Sequence, residues 1–186
     1  MNYEDLLAEH ERFYSGENRA YYYDEYMKHK DWSSWGNTVP VIEVIKLLGF
    51  VLSWDPHFEG DVATFRHAYE RVYPRLVRLQ GMTIDSVDLD DGNLRADIRE
   101  IFDDIAYCTR GRRYESTGAS KMLHTIVPQL FVMWDRKIRL GILGDENRKY
   151  GGNYIDEFLP LMQQEAMDVR TSCTKKLKLD EDQAIE

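Results

Sequence analysis

The sequence predicts an all-α protein, a single compact helical domain, and three observations carry that expectation. Apolar residues recur at helical spacing along most of the chain, while the alternation of a half-buried strand is hard to find. Turn-forming residues and prolines fall at the borders of most of these periodic segments, where they start or stop helices. With 186 residues, 43% hydrophobic and 12% aromatic, the chain can build one real core, and no linker or repeat divides it.

Each element follows in order. Leu6, Leu7, His10, Phe13 and Tyr14 form the stripe of a first helix, stopped at Ser15-Gly16. A second runs from Asn18 to about Lys30 with Tyr22, Tyr23 and Tyr26 along one side. The segment WSSWGNTVP reads as a loop holding Trp32 and Trp35, and Pro40 opens a third, apolar helix reaching Leu52. Val62, Phe65, Tyr69, Val72 and Leu76 mark a long amphipathic helix with Pro74 disturbing its end. Leu94, Ile98, Phe102 and Ile105 mark another, entered through the turn at 90–93. The stretch TIDSVDLDDGN before it leaves room for a brief strand, and its aspartates lack calcium-loop register. A short helix is expected from Ser120 to Val127, stopped by Pro128, a further one beginning at Asp135, and a long one over about 154–169. The domain spans 1–175, and 176–186 is a charged tail expected to fray.

Composition narrows the function. The most apolar stretch, Val39 to Leu52, is interrupted by Pro40, Glu43 and Lys46, so no membrane span is expected. The N-terminus is acidic and amphipathic rather than basic and then apolar, unlike a secretory signal. Cys108 and Cys173 form neither a CxxC pair nor a disulfide framework, which suits a reducing cytoplasm. His10, His29, His57, His67 and His124 are scattered without metal-ligand spacing, so no metal and no other cofactor is expected, and a metal-dependent hydrolase is the weakest reading.

Charge is unevenly spread. The chain carries a net −9, yet Thr109 to Lys149 holds nine Lys/Arg against four acids, Glu115, Asp135, Asp145 and Glu146. One basic segment in an acidic chain points to a localised anion-binding face. The most informative part of it is Tyr114 to Leu143. There a small-residue turn, Ser116 to Ser120, leads into a helix bearing Lys121, and exposed amides at such a helix start bind phosphate. Fourteen residues on, after the apolar run Leu130 to Trp134, Asp135 is placed to cap the next helix at the end of a desolvated segment.

This ordered pattern resembles that of the helix-hairpin-helix DNA glycosylases: a hairpin around Gly118, then Lys121, then Val132-Met133-Trp134-Asp135 followed by Arg136 to Arg139. Gly118 stands alone where the family has two glycines, the lysine-to-aspartate interval is shorter, and no cysteine cluster for iron and sulfur is present, which together mark a divergent branch. The resemblance implies a DNA glycosylase, with or without lyase activity, acting on double-stranded DNA that carries a damaged or modified base. Hypermodified bases of viral DNA belong to that class, and with them a role in antiviral defence. Lys121 would be the nucleophile, kept neutral by desolvation and by Arg112 or Arg113, and Asp135 would stabilise the positive charge developing on the sugar. The flipped base would meet aromatic faces drawn from Trp32, Trp35, Trp54, Trp134 and Tyr21 to Tyr23, with His124 beside them. Arg110, Arg112 and Arg113, with Gly118 and Ser120, would hold phosphates.

The residues also admit a different class of function, a non-catalytic helical module whose basic face meets nucleic acid or an acidic partner. On that reading Lys121 is a surface lysine, Asp135 only an N-cap, His124 a core histidine, and the tryptophans packing. No obligate protein partner is implied by either.

Overall fold

The computed structural model describes residues 2–16, 18–30 and 35–177; Trp32 and the tail after 177 lie outside the described residues. The described chain is all-α. The helices are α1 (Tyr3–Gly16), α2 (Asn18–His29), α3 (Val41–Trp54), α4 (Val62–Leu79), α5 (Gly92–Ala106), α6 (Ser116–Ile126), α7 (Arg136–Leu143), α8 (Gly151–Asn153) and α9 (Leu159–Leu177). A π-helical turn (Tyr154–Phe158) joins the last two. Among the described residues only one isolated bridge, Gly60 to Thr109, pairs extended backbone, and residues 83–91 form turns rather than a brief strand. No described helix is long and apolar enough to cross a membrane.

Caps set most boundaries. Asp61 accepts from the Thr64 amide at 2.8 Å to start α4, and Asp91 accepts from Asn93 at 2.9 Å to start α5. Helix α4 continues to Leu79, five residues beyond Pro74. Leu76 and Leu79 are both buried there, and their packing offsets the hydrogen bond that proline cannot donate. The largest departure from the sequence expectation is α6, which begins at Ser116 rather than Ser120. The Glu115 carboxylate accepts from the Gly118 amide at 2.7 Å and draws the small-residue stretch into the first helical turn.

Helices α4, α5 and α6 pack in succession, α3 lies against α4 and α6, α2 covers α3, and α1 reaches α9. The core between them holds Phe65, Leu76, Ile98, Ile101, Phe102, Phe131, Trp134, Tyr154 and Phe158. The Tyr154 hydroxyl, fully buried, accepts from the Val132 amide at 2.9 Å and donates to the Val132 carbonyl at 2.8 Å. It thereby fixes the apolar segment that leads to Asp135.

Gly118 owes its identity to this packing. A Cβ there would sit 2.4 Å from the Phe58 ring, and one at Gly60 would sit 2.5 Å from the same ring, so the two glycines clamp Phe58 between them. We expect Gly118→Ala to destabilise the fold by ~1–3 kcal/mol through overpacking. A denaturation midpoint unchanged from wild type would count against this, and Phe58→Leu should relieve part of the loss in the double variant.

Candidate active site

Helix α6 carries the site. Ser120, fully buried, fastens it to the segment ahead of α7: its hydroxyl accepts from the Trp134 amide at 3.1 Å and lies 3.0 Å from the Trp134 carbonyl and 2.9 Å from that of Thr117. The neighbours of these two residues are Lys121 and Asp135, so the serine sets the pair's backbones against each other.

Lys121 is only 7% exposed, and its Nζ lies 5.8 Å from the centroid of the Trp54 indole at the end of α3. A lysine amine over an indole face is a cation–π arrangement when charged. Trp54 in turn packs on Phe13, Tyr23 and Phe50, so α1, α2 and α3 build an aromatic wall on that side. Asp135 is half-buried and accepts from the Ile138 amide at 2.8 Å, capping α7 as its position after the apolar run predicts. Asp135 makes no ion pair with Lys121.

His124 bridges elements. Its Nδ1 lies 2.6 Å from the Phe131 carbonyl and must donate, so Nε2 accepts from the Tyr23 hydroxyl at 2.8 Å. Burial pulls its pKa down, opposed by the Phe131 contact and reinforced by the charge of Lys30, and the ring is held neutral. Lys30 donates to the Thr125 carbonyl at 2.8 Å, and burial lowers its pKa to about 8. Both ring nitrogens of His124 are engaged, Nε2 holding α2 to α6 and Nδ1 holding α6 to the segment before α7, which is a positioning role rather than a pocket wall.

No protein family, curated protein or solved structure matches this chain.

Several expected positions are corrected. Trp134 is fully buried against Phe102, Tyr154 and Phe158, and Trp35 is 2% exposed beside Tyr69. Trp35 borders a groove of about 470 Å³ at the far end of α6, lined also by Tyr73, Met82, Ile126 and Val127 and not by Lys121. The indole beside the lysine is instead Trp54. Gly118 and Ser120 are buried, and Glu115 already occupies the Gly118 amide, so the start of α6 is closed to phosphate. The physical reason is that a carboxylate cap and close helix packing satisfy the amides that an open hairpin would offer.

Arg139 has a structural place that its position in the basic segment hides. It is 6% exposed, its carbon Cζ lies 5.4 Å from the Trp134 ring centroid, and it donates to Ser116 Oγ at 3.2 Å, Thr117 Oγ1 at 3.5 Å and the Glu146 carbonyl at 3.1 Å. Burial lowers its pKa, and the carboxylates of Glu115, Asp135 and Glu146 push it back up. Arg136 and Arg148 are paired with Glu146 and Glu157.

Arg110, Arg112 and Arg113 lie exposed on one loop ahead of α6. They form no ion pair among the described residues. The loop is shaped by Gly111 at φ 76° and Arg112 at φ 53°, closed by the Arg112 amide on the Thr109 carbonyl at 2.9 Å.

Proposed function

We propose that the protein is a DNA glycosylase that excises a damaged or modified base through Lys121, assisted by Asp135. The observation that carries this reading is a lysine amine withdrawn from water and set against the Trp54 indole, on the helical turn that Ser120 ties to the strand of chain ending in Asp135. This buried lysine, one residue from the serine that fastens α6, and Asp135 at the end of the fastened segment supply the two groups this chemistry uses, an amine nucleophile and a carboxylate. The neutral amine attacks C1′ of the deoxyribose, and the bond from C1′ to the base breaks. The base leaves with that electron pair and takes up a proton. Ring opening then gives an iminium at C1′, and β-elimination of the 3′-phosphate nicks the strand. The Asp135 carboxylate supplies negative charge near the sugar as positive charge develops there. Trp54 offers the π-face against which a base removed from its stack can rest.

Borohydride trapping on a panel of duplexes with modified bases, and on phage genomes, tests the reading, because only an iminium is reduced to a stable adduct. A second reading, a non-catalytic module for nucleic acid or an acidic partner, is favoured by the closed start of α6 and by Asp135 serving as an N-cap. It predicts no adduct with any duplex.

Where the ligand is nucleic acid, either reading puts its phosphates on Arg110, Arg112 and Arg113. With a net charge of −9, affinity has to come from this local patch, so we expect a shallow salt slope of about three to four. Changing Arg112 and Arg113 together to Ala should weaken binding to all sequences alike and lower the slope by about two. A slope unaltered in the double variant would show that DNA lies elsewhere.

A further inference from the structure

Tyr107 and Tyr114 bracket the arginine loop in sequence, and their rings meet across its base, 5.0 Å between centroids at 81°. Tyr150 packs on the other side of Tyr114 at 4.9 Å and 50°, making a continuous run of three rings. The central ring is held firmly. The Tyr114 hydroxyl donates to Asp103 and accepts from the Gly151 amide at 2.8 Å. The outer rings are not buried: Tyr107 is 44% exposed and Tyr150 53% exposed. Tyr114 packs against the core, while Tyr107, edge-on to it, and Tyr150, tilted against it, lie outside that core and leave both ends of the run open to water.

The cations beside the run in sequence carry no partner carboxylate among the described residues: Arg112 and Arg113 precede Tyr114, and Lys149 precedes Tyr150. The nearby carboxylates are engaged. Asp103 holds Tyr114 and Gly151, Asp104 pairs with Arg71, Glu115 caps α6, and Glu157 pairs with Arg148. Aromatic faces flanked by unpaired cations match the two parts of a single strand, its bases and its phosphates.

We infer that Tyr107, Tyr114 and Tyr150, with Arg112, Arg113 and Lys149, form a platform for single-stranded nucleic acid, on which unpaired bases stack while the backbone crosses the basic loop. The inference shares the phosphate contacts of the reading above and none of its lysine chemistry. On a duplex, the platform would take nucleotides that have left their pairs.

Binding of a fluorescent oligothymidylate about ten nucleotides long, within the site sizes of single-strand binders, tests this by anisotropy. Wild type should bind it roughly tenfold more tightly than a duplex of the same length, and Tyr150→Ala should weaken it by roughly tenfold. Tyr107→Ala with Tyr150→Ala should cost roughly a hundredfold, while Tyr150→Phe should bind as wild type because the ring is kept. An abasic strand of equal length should bind weakly and equally to all variants. Both altered residues are exposed, so thermal melting should show folded protein throughout. Equal oligothymidylate binding by wild type and the double alanine variant would overturn the platform. So would competition by polyglutamate as effective as that by the unlabelled strand, which would indicate an acidic protein partner recognised by charge. No base excision is needed for any of these readings, so a failure of Lys121 as nucleophile leaves them intact.

Discussion

Lys121→Gln is expected to abolish the covalent adduct that borohydride captures between the protein and DNA bearing a susceptible base. The glutamine amide has no lone pair able to form an imine, so the loss is complete rather than partial. Glutamine is close in length to lysine and can remain against the Trp54 ring, so the helix that carries it should stay in place. Asp135→Asn is expected to behave differently. Its cap to the Ile138 amide survives, because the asparagine oxygen still accepts, and Asn is as good an N-cap as Asp. Only the charge is removed, which should slow base release by roughly a hundredfold or more if the carboxylate stabilises the sugar cation. DNA binding should be little altered in either variant. Adduct formation that persists in Lys121→Gln would end the assignment of this lysine. Normal excision by Asp135→Asn would leave the aspartate with its cap alone.

Arg139→Ala is expected to cost about 3–5 kcal/mol of folding stability, a large share of what a domain of this size possesses. The guanidinium satisfies Ser116, Thr117 and the Glu146 carbonyl together and covers the Trp134 ring, so truncation strands several polar groups and opens a void. The melting temperature should fall by roughly 10 °C. Arg139→Lys should recover little, because an ammonium group cannot span the same forked set of acceptors. The effect should reach the site as well, since Trp134 is bonded to Ser120 and adjoins Asp135. A shift of under 2 °C, the low end for about 1 kcal/mol, would show that Arg139 is dispensable.

Most of the helices are legible in the sequence because their signals are local. The stripe from Leu6 to Tyr14, the proline before α3, and Asp135 ahead of α7 all act within about one helical turn, and each element lies where its own residues place it. The basic run Arg110, Arg112 and Arg113 is legible as a cluster of charge, whereas its place on a short loop with Gly111 and Arg112 at positive φ belongs to the structure. The start of α6 was less legible. Ser116 to Ser120 suits either an open turn or a helix, and the Glu115 cap together with the Phe58 ring against Gly118 selects the helix.

What only the tertiary structure decided is which side chains meet. Four tryptophans are equally apt in sequence to face Lys121, yet the core takes Trp134 and Trp35, and the fold of α3 against α6 brings Trp54 to the amine. Arg139 reads as one more surface cation until the packing of α7 on α6 buries it. The run of Tyr107, Tyr114 and Tyr150 joins the end of α5, the loop beyond it and the start of α8, and nothing in their spacing foretells the contact. Periodicity and capping are decided by neighbours a few residues apart, whereas a site is assembled from side chains distant along the chain, whose meeting depends on how whole helices pack.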